Sequence, residues 1–172
     1  GVGVGTQNSA LVFGGELTGN CTIKYDGTSW TAGGNLINGR YFASGAGSQN
    51  AALYAGGSPG NSALTEEYNG STWASGGNLI TARRANMGGG TVSAATAFGG
   101  TNPGMLACHE QYNGTSWTVA TPLNAARGAG GAASKDQNSA LAFGGYLASS
   151  LSSHVSCVEE WSGDSWAIGN TL

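Results

Sequence analysis

Four short apolar segments, each closed by a glycine doublet, recur at near-constant spacing along this 172-residue chain. They are Ala10–Gly15, Ala52–Gly57, Ala95–Gly100 and Ala140–Gly145, and their first glycines lie 42, 43 and 45 residues apart. Each is followed by an aromatic residue and, five positions later, a tryptophan: Tyr25 and Trp30, Tyr68 and Trp73, Tyr112 and Trp117, Trp161 and Trp166. Ten residues after the first three tryptophans stands an arginine, at Arg40, Arg83 and Arg127. Three markers in fixed order define one repeated unit, with copies near 1–38, 39–81, 82–125 and 126–172. A unit of this length cannot bury its apolar faces alone, so the copies must stack on one another in a single domain.

The residues inside each unit read as four strands. Thr6-Gln7-Asn8, Ser48-Gln49-Asn50 and Asp136-Gln137-Asn138 mark a turn between a Gly/Ala-rich first strand and an apolar second one. Asp26-Gly27, Asn69-Gly70 and Asn113-Gly114 mark a tight hairpin between the third and fourth, since Asn, Asp and Gly tolerate positive φ. Small residues in the first two strands suit positions near a crowded axis.

A glycine doublet, an aromatic, a Trp and then an Arg opening the next unit resembles the kelch repeat, and the resemblance covers the whole chain. The Gly/Ala-rich wording, as in Tyr112-Asn113-Gly114-Thr115-Ser116-Trp117, also looks like kelch-type repeats of bacteriophage structural and tail proteins. The kelch resemblance implies an all-β β-propeller of four-stranded antiparallel blades set radially. Three arrangements remain open: a compact four-bladed ring, which is favoured, a dimer of eight blades, or a fragment of a longer array. The chain starts with strand one and ends after strand four, so closure would need no strand shared between the termini. The first residue is Gly rather than Met and no signal peptide is visible, which fits a processed or excised chain.

Composition narrows the function classes. Charged residues make up 9% of the chain, against about a quarter in ordinary domains. With five Trp, six Tyr and four Phe it is not a disordered composition. A surface of Ser, Thr, Asn, Gly and Ala suits a virion or extracellular location. The net charge of −3 gives no footprint for nucleic acid, and no apolar run is long enough to span a membrane.

The arginines are the first candidates for chemistry, because Arg in a propeller mouth suits carboxylates and phosphates. Two residues before each aromatic stand Ile23, Glu66, Glu110 and Glu159. The unit that has Ile there is also the one without a visible Arg. The expectation is therefore three partly buried structural pairs, Arg40–Glu66, Arg83–Glu110 and Arg127–Glu159, with Arg84 the freer guanidinium. Trp30, Trp73, Trp117 and Trp166 are read as blade-to-blade packing rather than sugar platforms. Cys21, Cys108 and Cys157 share a slot with Leu64, which predicts small buried hydrophobes and three free thiols. No metal-ligand spacing is present, so no cofactor is expected.

His109 beside Cys108 is too little for the copper site of galactose-oxidase-type kelch enzymes, and Gly88-Gly89-Gly90 lacks the helix of a phosphate loop. Glu66-Glu67 and Glu159-Glu160 point to opposite strand faces and make poor catalytic dyads. Asn20, Asn69 and Asn113 match the glycosylation acceptor pattern, two of them at hairpin tips. Departures from the repeat carry more information. Loops from the doublet to the Cys/Leu slot have 5, 6, 7 and 11 residues, the longest being Tyr146–Ser156. Asn102, Met105, Tyr146 and His154 on these loops, with Arg84, are the expected ligand-binding residues. The resulting expectation is a non-enzymatic structural or recognition module. Its partners would be a glycan, a protein receptor, neighbouring virion proteins or further copies of itself. An intracellular kelch-type adaptor is the alternative, and a galactose-oxidase-like oxidoreductase a remote one.

Overall fold

Each repeat becomes one antiparallel sheet of four strands in chain order, in a computed structural model that describes residues 1–17, 19–147 and 154–172. Blade one holds β1 (Val2–Thr6), β2 (Ser9–Phe13), β3 (Thr22–Tyr25) and β4 (Trp30–Ala32). Blade two holds β5 (Ser44–Ser48), β6 (Ala51–Ala55), β7 (Thr65–Tyr68) and β8 (Trp73–Ser75). Blade three holds β9 (Met87–Thr91), β10 (Ala94–Phe98), β11 (His109–Tyr112) and β12 (Trp117–Ala120). Blade four holds β13 (Gly131–Asp136), β14 (Ser139–Phe143), β15 (Val158–Trp161) and β16 (Trp166–Ile168). The architecture is a four-bladed β-propeller arrangement.

The first strands line the axis: β1 packs on β5, β5 on β9 and β9 on β13. Glycine allows that approach. Gly45 faces Val2 and Phe13, and Gly88 faces Ser44, where a Cβ would crowd the neighbouring blade. The result is an axial cavity of about 420 Å³ whose wall includes Gly3, Gly45, Gly47, Gly88, Gly89 and Ala133.

Three apolar clusters form, one at each junction between consecutive blades. The first joins Leu11 and Phe13 to Tyr54, Tyr68 and Trp73. The second joins Leu53 and Ala55 to Ala95, Tyr112 and Trp117. The third joins Met87 and Phe98 to Ala142, Trp161 and Trp166. At the first two, the Trp of the later blade also donates its indole N–H backwards, and at the third Trp166 brings its indole nitrogen up to His109. Trp73 reaches Thr22 Oγ1 at 2.9 Å, Trp117 reaches Thr65 Oγ1 at 3.0 Å, and Trp166 lies 3.3 Å from His109 Nδ1. Inter-blade packing therefore holds for three tryptophans. Trp30 differs from the expectation: it is 51% exposed against 5–6% for the others. Among the described residues no blade lies against its face, and no contact comparable to those along the axis joins β13 to β1.

The hairpins between third and fourth strands are also built differently from a simple positive-φ turn. Gly27, Gly70, Gly114 and Gly163 do take positive φ, but Asp26, Asn69 and Asn113 act through their side chains. Asp26 Oδ1 accepts from Thr28 and Ser29, and Asn69 and Asn113 do the same for the residues two and three ahead. Above each hairpin the aromatic and the Trp stack, with ring centroids 4.9 Å apart for Tyr25–Trp30 and 5.0 Å for Tyr68–Trp73.

Candidate functional site

The arginine that opens a blade decides how the two blades join. Arg40, Arg83 and Arg127 are buried and pair with the buried carboxylates of Glu66, Glu110 and Glu159. Each carboxylate also accepts two backbone N–H groups of the connection entering its blade: Ile37 and Asn38, Ile80 and Thr81, Asn124 and Ala125. Each arginine's own carbonyl accepts from the second glycine of the preceding doublet, from Gly15, Gly57 and Gly100 at 2.8–2.9 Å. Burial draws the Arg40 guanidinium below its ordinary range, and the Glu66 carboxylate opposes that shift. These six side chains are buried and taken up in the pairs. They form brackets that pin each connection.

Immediately beyond the brackets the chain bends into an open mouth. Tyr41, Arg84 and Gly128 pair antiparallel with Ser58, Thr101 and Tyr146, the first residues of the loops after the doublets. The next residues, Phe42, Ala85 and Ala129, all take positive φ near 52–55°, a conformation that costs a residue with a Cβ about 1–3 kcal/mol. Backbone hydrogen bonds link them around the axis: Ala85 N–H donates to the Phe42 carbonyl at 2.6 Å and Ala129 N–H to the Ala85 carbonyl at 2.8 Å. Together with Glu16 and Asn86 they surround a cavity of about 440 Å³ on the loop face. Asn86 is buried and donates to Ser44 Oγ at 2.7 Å, while its Oδ1 has no partner among the described residues. Phe42 is exposed and its ring meets Tyr41 edge-on at 5.2 Å.

The sequence-predicted ligand residues divide into two groups on this face. Arg84, Asn102 and Met105 belong to blade three, where Thr101 bridges both Arg84 and Met105. Arg84 is exposed and stands beside the mouth. Asn102 is already occupied: its amide donates to the Ala82 carbonyl at 2.7 Å and its Oδ1 accepts from Asn61 at 2.9 Å. It ties the loops of blades two and three together. Tyr146 and His154 belong to blade four and stack on each other at 4.7 Å, closing the base of the long loop. Residues 148–153 of that loop lie outside the described residues. Sequence reasoning missed Tyr41, Phe42, Glu16 and Asn86. The available signal was the residue after each bracket arginine, which varies (Tyr41, Arg84, Gly128) inside an otherwise fixed frame.

Two further candidates are resolved by their surroundings. The Cys/Leu slot is not a buried position: Cys21 and Leu64 are exposed, and Cys108 and Cys157 are half-buried free thiols. The slot lies just before the third strand and serves through its carbonyl, which accepts from the first glycine of the doublet. His109 is fully buried, with Nε2 2.6 Å from Thr96 Oγ1 and Nδ1 3.1 Å from the Thr121 carbonyl. Burial pushes its pKa down to about 4, so the ring is neutral and packs between Trp161 and Trp166. Among the described residues, no group of three or more His, Cys, Asp or Glu side chains is gathered to hold a metal ion. Compared with protein-family models and with curated proteins, the sequence matches none.

Proposed function

We propose that this chain is a kelch-type recognition module on a virion or outside a cell, binding a glycan through the loop face rather than catalysing a reaction. The observation that carries this reading is the mouth itself. A rigid, backbone-tied rim presents two aromatic rings, Tyr41 and Phe42, with Arg84 on the adjoining rim segment. Aromatic faces stack on sugar rings, a guanidinium binds carboxylate or hydroxyl oxygens in a fork, and a preformed rim limits the entropy lost on binding. The conserved-looking repeat side chains are taken up in brackets and interfaces, which leaves the variable rim as the surface on which specificity is written.

A glycan array is the test. Saturable binding to a defined sugar set is expected, with at least a tenfold loss (about 1.4 kcal/mol) in Tyr41→Ala and in Arg84→Met. Replacing 146–156 by a five-residue loop should weaken binding further or change the preferred glycan. Binding that both point variants retain in full would remove the mouth as the site. Turnover of a sugar by the purified chain would remove the non-enzymatic reading.

A further inference from the structure

The three internal junctions share a Trp of the later blade set against the earlier one and a buried leucine from the earlier blade's end, and among the described residues Trp30 and Leu141 stand exposed at the two ends of the blade series. On the rear side of a junction, the later blade supplies a Trp and, at blades two and three, the Tyr stacked on it. At the first junction it also supplies Gln49, which donates to the Ala10 and Tyr25 carbonyls. On the front side, the earlier blade supplies an apolar second-strand residue (Leu11, Leu53) and a carboxylate at one junction, where Tyr112 donates to Glu67 at 2.5 Å. A leucine from the end of the earlier blade (Leu36, Leu79, Leu123) is then buried under the later one.

Among the described residues nothing covers the rear half of blade one, which presents Trp30 and Tyr25, with Gln7 in the slot of Gln49. Blade four presents an exposed front half among the described residues. Leu141 is 38% exposed where Leu11 and Leu53 are at most 1%, and Glu160 stands in the slot of Glu67. A groove of about 480 Å³ runs along this face beside Leu141 and Glu160.

Ile23 decides how that junction is made. At blades two, three and four the equivalent residue is the glutamate that caps the connection entering the blade. Ile23 has no acceptor to offer, so blade one is built to meet a blade that arrives without a bracketed connection.

We propose that the rear face of blade one docks onto the front face of blade four in a second copy of this chain. Two copies then close head to tail into an eight-bladed ring. Trp30 packs over Leu141 and Val158, Tyr25 donates to Glu160, and Gln7 donates to the Ala140 and Trp161 carbonyls. The contact is heterologous, so each chain contributes a different half at each of the two junctions. The assembly is independent of what the loop face binds.

Native mass spectrometry and light scattering across a dilution series test this. Wild type is expected at twice the chain mass. Trp30→Glu and Leu141→Glu are each expected to raise the dissociation constant by roughly 30-fold or more, with unchanged far-UV circular dichroism. Mixing the two variants should restore dimers, because one junction of the mixed pair is then intact on both sides. Glu160→Arg, at an exposed position, repeats the test without touching an apolar contact. A chain that stays monomeric at all concentrations, an open polymer, or variants that fail to rescue each other would overturn the proposal. So would a monomer whose Trp30 is shielded from a soluble quencher, since its own blade four would then cover it.

Discussion

Glu110 carries two loads, the Arg83 guanidinium and the N–H groups of Ile80 and Thr81. Removing the cation alone leaves a buried carboxylate uncompensated, so Arg83→Met should cost about 3–5 kcal/mol in urea unfolding. Pairing that change with Glu110→Gln removes the stranded charge and keeps an oxygen for the two N–H groups, and should return at least ~1 kcal/mol. Equal losses in the single and double variants would show that charge is not what the bracket satisfies. His109 titrates in the opposite sense. Its folded pKa of about 4 lies below the ordinary 6.5, so the unfolded chain takes up the proton first as pH falls. Its contribution is complete above pH 6.5 and declines as pH drops toward 4. By then about 3 kcal/mol is lost, at ~1.4 kcal/mol per pKa unit. His109→Thr, the residue found at positions 22 and 65, supplies at this junction the hydroxyl that accepts the Trp N–H at the other two. It should flatten the melting temperature between pH 6.5 and 4, and an unaltered slope would assign the acid sensitivity elsewhere.

At the scale of the strand, the first three blades solve the end of the inner strand with glycine and the fourth does not. Gly5, Gly47 and Gly90 take φ near 100°, and a Cβ there would collide with the carbonyl of Ser9, Ala51 or Ala94 across the hairpin. Blade four lacks the glycine, and its β13–β14 pairing shifts register between Ser134 and Asp136, an extra residue absorbed as a bulge. Gly90→Ala should therefore lower stability by about 1–3 kcal/mol, whereas Lys135→Ala on the exposed bulge should stay within ~0.5 kcal/mol. Similar values for the two would mean that the inner strands relax freely. Comparing copies made much of this legible in sequence. Doublets, Tyr–Trp pairs and the Arg–Glu covariation all follow a fixed place in a repeat, and the structure places them accordingly. What escaped depends on facts outside one repeat. Trp30 has the same neighbours in sequence as Trp73, and its exposure follows only from where a fourth junction fails to form. Phe42, Ala85 and Ala129 escaped because nothing in a Phe or Ala announces positive φ. Cys21 misled because its carbonyl, not its side chain, does the structural work.

Across the whole molecule, stability is a sum over blades and the junctions between them. Blades two and three have both faces covered, blades one and four only one. In chains kept monomeric by Leu141→Glu, amide exchange should be fastest in Trp30–Ala32 and Trp166–Ile168, and slowest in Ala51–Ala55 and Ala94–Phe98. Uniform protection would mean that the four blades open as one cooperative unit. The axial wall has a different kind of consequence. It is made of glycine backbone with the small side chains of Val4, Ala46, Ala132, Ala133 and Ser134, so most substitutions there narrow the bore before they alter its chemistry. On the proposed reading, a change of ligand has to be written at the rim, because substitutions in the axial wall alter its width and little else.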